Sequence, residues 1–112
     1  MNDLTWPQFA AVDMRVGTIV RAESFPEARQ PAIKLWIDFG PEIGERKTSA
    51  QITDLYDTAT LPGRQVIAVV NFPPKQIGKF MSECLVLGSV DQNRVVTLLQ
   101  PERSVENGLR IG

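Results

Sequence analysis

Every second residue from Ile33 to Phe39 is apolar: Ile33, Leu35, Ile37 and Phe39 alternate with Lys34, Trp36 and Asp38. A strand places such a series on one face, because successive strand side chains point to opposite sides. The segment therefore predicts a strand with one face on a core, and it puts Trp36 on the other. A large aromatic on an outer face needs a cover, from a partner subunit, the N-terminal helix or a ligand. Met14 to Ala22 predicts a second strand, with Val16, Thr18 and Val20 on one face and Gly17, Ile19 and Arg21 on the other. Gly17 marks a bulge or a strong bend there. Arg46 to Gln51, Gln65 to Val70, Glu83 to Leu87 and Val95 to Leu99 complete the strands. Turn residues at Gly40 to Gly44 and Leu61-Pro62-Gly63 separate them, and a brief helical segment is expected around Thr53 to Thr58. An all-β barrel with one intervening helical turn fits this order.

The ends carry their own signals. Thr5-Trp6-Pro7-Gln8 sets a capping threonine before a proline, with Gln8 placed to return the bond, so a short helix ending near Ala11 follows. The tail from Pro101 to Gly112 turns at Asn107-Gly108, and Val105, Leu109 and Ile111 equip it to dock rather than fray. Trp6 and Phe9 with Val105, Leu109 and Ile111 are the candidate dimer interface, or else plugs for the barrel ends. At 112 residues the expectation is a single domain, 1–112, with one core.

Asn71 to Leu87, NFPPKQIGKFMSECLVL, holds the candidate binding surface. Pro73 and Pro74 lack backbone N–H groups, so they end the apolar run Val66 to Val70 and force an extended corner. Phe72, Pro73, Pro74, Ile77, Phe80 and Met81 then read as the lining of a groove for an extended peptide. Methionine and proline present apolar area without demanding particular hydrogen bonds. Lys75 and Lys79, with Arg46 and Lys47, are candidates to hold a peptide's carboxylates. The same surface suits a phosphate-bearing chain, and an ordinary strand connection reaching into the core explains the pattern equally well.

Composition narrows the chemistry. The chain has no histidine, so a Ser-His-Asp relay and histidine-ligated zinc are excluded. Cys84 is the one cysteine; it excludes an internal disulfide, fits a reducing compartment and reads as a small buried hydrophobe. GPEIGERKT, from Gly40 to Thr48, departs from a phosphate-binding loop because Arg46 stands where the glycine before the lysine is required. Asp38, Glu42, Glu45, Asp54 and Asp57 lie in no context that would raise a carboxyl pKa, and Ser49 and Ser82 have no base. No enzyme, cofactor or metal site is expected. Twelve Lys and Arg against 13 Asp and Glu give a net charge of −1, so nucleic acid would have to bind a local patch. The N-terminus lacks a basic start and a continuous apolar stretch. No membrane insertion is expected, and the cytoplasm is the expected address.

Asp13-Met14-Arg15-Val16-Gly17 with Thr18-Ile19-Val20 resembles the DxRVGxI opening of the tRNA-binding domain family. NFPPK, then Ser82-Glu83 and VLG, resembles its later motif. With FPEARQPAIKLWIDFG, SAQIT and VIAVVNFPPKQI, nearly the whole chain is similar to the CsaA-type export chaperones of that family. The resemblance implies an OB-fold, a five-stranded Greek-key barrel, with short helices and N- and C-terminal extensions. It also implies a symmetric homodimer that binds unfolded preproteins and assists the Sec translocation ATPase. The alternative it carries is a tRNA-binding accessory protein recognising tRNA structure. Lys34, Arg46, Lys47, Lys75, Lys79 and Ser82 are that reading's candidate contacts. Two departures bear on it: Cys84 and Leu85 follow the Ser-Glu pair where the family has glycine and methionine, and the HPxADKL segment is replaced by Phe25-Pro26-Glu27-Ala28 with extra residues before Lys34.

Overall fold

One strand organises the molecule. In the computed structural model, which describes residues 2–112, β1 (Met14–Ser24) lies against β4 (Gln65–Val69) with its first half and against β2 (Ile33–Asp38) with its second. Both pairings are antiparallel, and they exchange at Thr18, which faces Gln65 on one side and Asp38 on the other. Gly17 makes the crossing possible. A Cβ there would lie 2.7 Å from the Phe39 ring, so β1 could not come this close to the end of β2.

Beyond β2 lies β3 (Glu45–Ala50), and beyond β4 lies β7 (Leu85–Val86), giving one antiparallel sheet in the order β3-β2-β1-β4-β7. The sheet curls until its edges approach. The Glu83 N–H donates to the Lys47 carbonyl at 2.8 Å and the Thr48 hydroxyl donates to the Cys84 carbonyl at 2.7 Å, so the five strands form a nearly closed barrel. Ile19, Leu35, Ile37, Phe39, Leu61 and Val66 are fully buried inside it. Two hairpins complete the β structure, β5 (Lys75–Ile77) with β6 (Phe80–Ser82) and β8 (Gly88–Val90) with β9 (Val96–Leu98). The architecture is all-β and OB-like. No helix among the described residues is long and apolar enough to cross a membrane.

The alternation of β2 is as expected, with Ile33, Leu35 and Ile37 buried. The capping box is present too: the Gln8 N–H donates to Thr5 Oγ1 and the Thr5 N–H to Gln8 Oε1, opening α1 (Trp6–Ala10). The tail docks along the part of β1 that β2 leaves free. Val16 N–H donates to the Leu109 carbonyl at 3.0 Å, Gly108 N–H to Val16 at 2.8 Å, and Ile111 N–H to Met14 at 2.9 Å.

Four expectations need correcting. The irregularity of β1 falls at Val20, between the pairs Ile19–Ile37 and Arg21–Trp36, and not at Gly17. The extra residue shifts the alternation, so Arg21 joins Val20 outside instead of following Ile19 inward. No helix forms over 53–58; the segment folds as successive turns, because the Asp57 carboxylate captures the N–H groups of Ala59 and Thr60. Gly40 to Gly44 holds a four-residue helix, α2 (Gly40–Ile43), rather than a plain turn. The expected strand from Glu83 to Leu87 shrinks to β7, since Glu83 and Cys84 are spent on bridging to β3, and the β5–β6 hairpin before it was not foreseen.

Candidate functional site

The corner after β4 is held rigidly from below. Asn71 donates its side-chain amide to the Ala11 carbonyl at 2.7 Å and accepts the Asp13 N–H at 3.0 Å, while Val70 N–H donates to the Asp13 carbonyl. Arg46 Nη1 caps the Val70 carbonyl at 2.8 Å. Phe72 and the two prolines therefore project from a fixed base, with Phe72 55% exposed. A groove of about 290 Å³ opens beside them, lined by Phe72, Pro73, Lys75, Ser82, Cys84 and Leu85. Its one hydroxyl, that of Ser82, is already engaged in a 2.9 Å hydrogen bond with the Thr48 hydroxyl. Burial pushes the Cys84 thiol up to about 12, so it is neutral and presents an apolar surface. Binding here must come from buried area, with Lys75 offering charge at the rim.

This groove continues into a wider cleft of about 490 Å³ between β3 and β7, which shares Lys75, Ser82, Cys84 and Leu85 with it. One wall is Ser49, Ala50 and Gln51; the other is Leu85, Val86 and Leu87. The sequence reading missed Leu85, which is 48% exposed, because it lies within an apolar run that reads as a buried strand.

The six residues expected to line one groove divide. Phe72 and Pro73 line it, and Pro74 and Met81 are exposed nearby in the chain. Phe80 is only 8% exposed and lies elsewhere. It packs with Phe25 and Ala32 in a second small apolar cluster, against which Ile77 and Trp36 rest. The alternation of β6 causes this, turning Phe80 under while Met81 faces out. Ring centroids stand 5.5 Å apart for Phe25 and Phe80 and 6.0 Å for Trp36 and Phe80. The cover that Trp36 needs is thus its own chain's Phe80, with the Arg21 guanidinium 4.4 Å from its ring centroid.

Three cations surround this cluster. Lys34 Nζ lies 4.7 Å from the Phe25 centroid and 5.3 Å from that of Phe80, and Lys47 Nζ lies 5.2 Å from that of Phe80. Arg21 is the third, also paired with Glu23. They meet because Trp36 faces Arg21 on β1 and Lys47 on β3. Sequence reasoning named Lys34 and Lys47 but missed Arg21, which the bulge at Val20 brings round. The other named groups are not part of it: Arg46 is spent on Val70, Ser82 on Thr48, and Lys75 and Lys79 sit exposed on the β5–β6 hairpin and its turn.

The proposed interface residues also separate. Trp6, 84% exposed, and Phe9 border a hollow of about 390 Å³ with Leu4 and Gly112. Leu109 borders another with Phe39 and Pro41, Val105 is bonded to Gln65 through its backbone, and Ile111 follows β1. No group of three or more potential metal ligands converges among the described residues.

The family described as "Putative tRNA binding domain" matches residues 14–110. The structure of chaperone CsaA from Bacillus anthracis is 49% identical, with a TM-score of 0.94 over 99% of this chain and 100% of that one. CsaA chaperone protein from Picrophilus torridus is 46% identical, with a TM-score of 0.91 over 98% and 100%. The methionine–tRNA ligase of Methanococcoides burtonii is 34% identical over 105 residues, 94% of this chain. The chain spans only 15% of that ligase's length, so the likeness is to one part of it. The chain belongs to the tRNA-binding domain family, as a CsaA-type member of it.

Proposed function

We propose that the protein is a cytoplasmic, homodimeric chaperone that holds unfolded preprotein segments for export. The observation that carries this is the apolar groove between Phe72 and Leu85 on its hydrogen-bonded base, whose Ser82 hydroxyl is already engaged with Thr48 and whose charge is confined to Lys75. Such a surface gains from any apolar side chain and demands no particular sequence. The likeness to two structures described as chaperones supports it. Trp6 and Phe9 supply the apolar patch for the second subunit, and handing clients on would involve the Sec translocation ATPase. The test is fluorescence anisotropy of a labelled unfolded peptide from a preprotein, followed by challenge with tRNA at physiological salt. Saturable binding that tRNA does not reverse supports the reading; no binding, or full displacement by sub-stoichiometric tRNA, overturns it.

A second reading rests on a separate observation, the Arg21, Lys34 and Lys47 cations around Trp36, Phe25 and Phe80. Three cations gathered on one face suit a phosphate backbone, so this face is the place to look for tRNA binding. Its affinity would fall steeply as salt rises.

A further inference from the structure

The tail docks on β1 through a residue pair with chemistry of its own, Asn107-Gly108. An asparagine followed by glycine readily loses ammonia, because glycine has no Cβ to keep the side-chain amide carbon from the next backbone nitrogen. The turn cannot dispense with this glycine. Gly108 has a φ of 91°, and a Cβ there would lie 2.6 Å from the Phe39 carbonyl oxygen. The fold instead holds both reacting groups. Gly108 N–H is committed to the Val16 carbonyl at 2.8 Å. Asn107 Oδ1 accepts the Thr18 hydroxyl at 2.7 Å and Gln65 Nε2 at 3.1 Å. Gln65 also bonds the Val105 carbonyl and N–H, at 2.7 and 3.0 Å, and Arg15 Nη1 donates to the Gly108 carbonyl at 3.0 Å.

We infer that Asn107 is a site of spontaneous deamidation, shut while the tail is docked, and that its isoaspartyl product unlatches the tail from β1. In the reaction the Gly108 nitrogen gives up its proton and bonds to Asn107 Cγ. The Cγ–Nδ2 bond breaks, and Nδ2 leaves as ammonia, taking up a proton. Water then opens the cyclic imide. Attack at Cγ gives aspartate, and attack at the backbone carbonyl carbon of Asn107 gives isoaspartate. The two products differ in this setting. Thr18 and Gln65 both donate to Oδ1, an acceptor that a carboxylate also supplies, so aspartate preserves the dock. Isoaspartate routes the main chain through Cβ and Cγ, which lengthens it and carries Gly108 and Leu109 out of register with Val16. The Val16 N–H, now donating to the Leu109 carbonyl at 3.0 Å, would be freed, baring the edge of β1 to pairing with another chain.

The experiment incubates the protein and a synthetic peptide of residues 104–112 in mildly alkaline buffer, and follows conversion of amide to acid by mass spectrometry. Asn107 in the protein should react at least about tenfold more slowly than in the peptide, because reaction waits on opening of the tail. Thr18→Val and Gln65→Ala each remove one hold and leave Asn107-Gly108 in place. Both should raise the rate toward that of the peptide, in step with faster amide exchange at Gly108. Wild-type protein in urea below its unfolding transition gives the same comparison without relying on either variant to fold. In the isoaspartyl fraction Val16 and Gly108 should exchange fast, whereas Asn107→Asp should keep both protected. Deamidation as fast in the protein as in the peptide would overturn the inference, as would faster Gly108 exchange with no faster deamidation. Protected Val16 and Gly108 amides in the isoaspartyl fraction would overturn the unlatching.

Discussion

Lys47 and Glu83 grip each other twice, backbone to backbone at 2.8 Å and backbone N–H to carboxylate at 3.1 Å. This clasp joins strands 36 residues apart and sets where the barrel seam stops being closed. Glu83→Ala should remove its charge-assisted half and cost about 1–2 kcal/mol. Urea denaturation reads the loss, and an unchanged midpoint would show that the backbone bond to Lys47 and the Thr48 to Cys84 bond suffice to close the barrel.

Two phenylalanines eight residues apart should behave oppositely. Phe80→Ala empties the small cluster with Phe25 and Trp36 and should cost about 3 kcal/mol. Phe72→Ala removes a mostly exposed ring and should change stability by no more than about 0.5 kcal/mol. On the chaperone reading, the Phe72 variant should lose about fivefold or more in peptide affinity. Thermal melts beside the anisotropy titration separate the two effects.

If the cationic face binds tRNA, Arg21→Ala, Lys34→Ala and Lys47→Ala should each lower the slope of log affinity against log salt by about 1 where the side chain meets a phosphate. Lys75→Ala, in the groove lining beside Phe72, should leave the slope unchanged. Filter binding across a salt series checks this.

Asp13 should govern the acid limb of stability. The Arg15 guanidinium, bonded to Asp13 Oδ1 at 2.6 Å, holds the carboxyl below its ordinary value. A carboxyl depressed in the folded state stabilises above its unfolded pKa and loses that contribution as pH falls through the folded value. The gap in stability between wild type and Asp13→Asn should therefore be full at neutral pH and shrink below about pH 4. Arg15 also donates to the Gly108 carbonyl at 3.0 Å, so the docked tail should loosen in the same range, visible as faster exchange at Gly108 and Ile111.

Cys84 should be silent to thiol reagents in the folded protein at pH 8. It is buried and its thiol is pushed up to about 12, so almost no thiolate forms. Full labelling should appear only with denaturant, and its rate then reports local opening beneath the groove.

Legibility followed the range of the interactions. The alternation of Ile33 to Phe39, the Thr5–Gln8 box and the Asn107-Gly108 turn are decided by neighbours in the chain, and each is present. The burial of Phe80 and the approach of Arg21 to Trp36 depend on partners far along the chain, which local patterns do not announce. The candidate groove was found through Pro73 and Pro74, because a missing N–H constrains the backbone wherever it occurs. Its far wall escaped, because an apolar residue such as Leu85 carries no mark of whether its strand edge will be covered.

The extra residue at Val20 works like the frame of a code. Everything from Arg21 to Ser24 is counted from it: Arg21 outside beside Trp36, Ala22 against Leu35, Glu23 outside beside Lys34. Shortening the chain by one residue at this point would leave composition and charge almost untouched. It would nonetheless remove the bend that the extra residue puts into β1 while leaving Arg21 opposite Trp36, because plain alternation from Ile19 already directs the next residue outward.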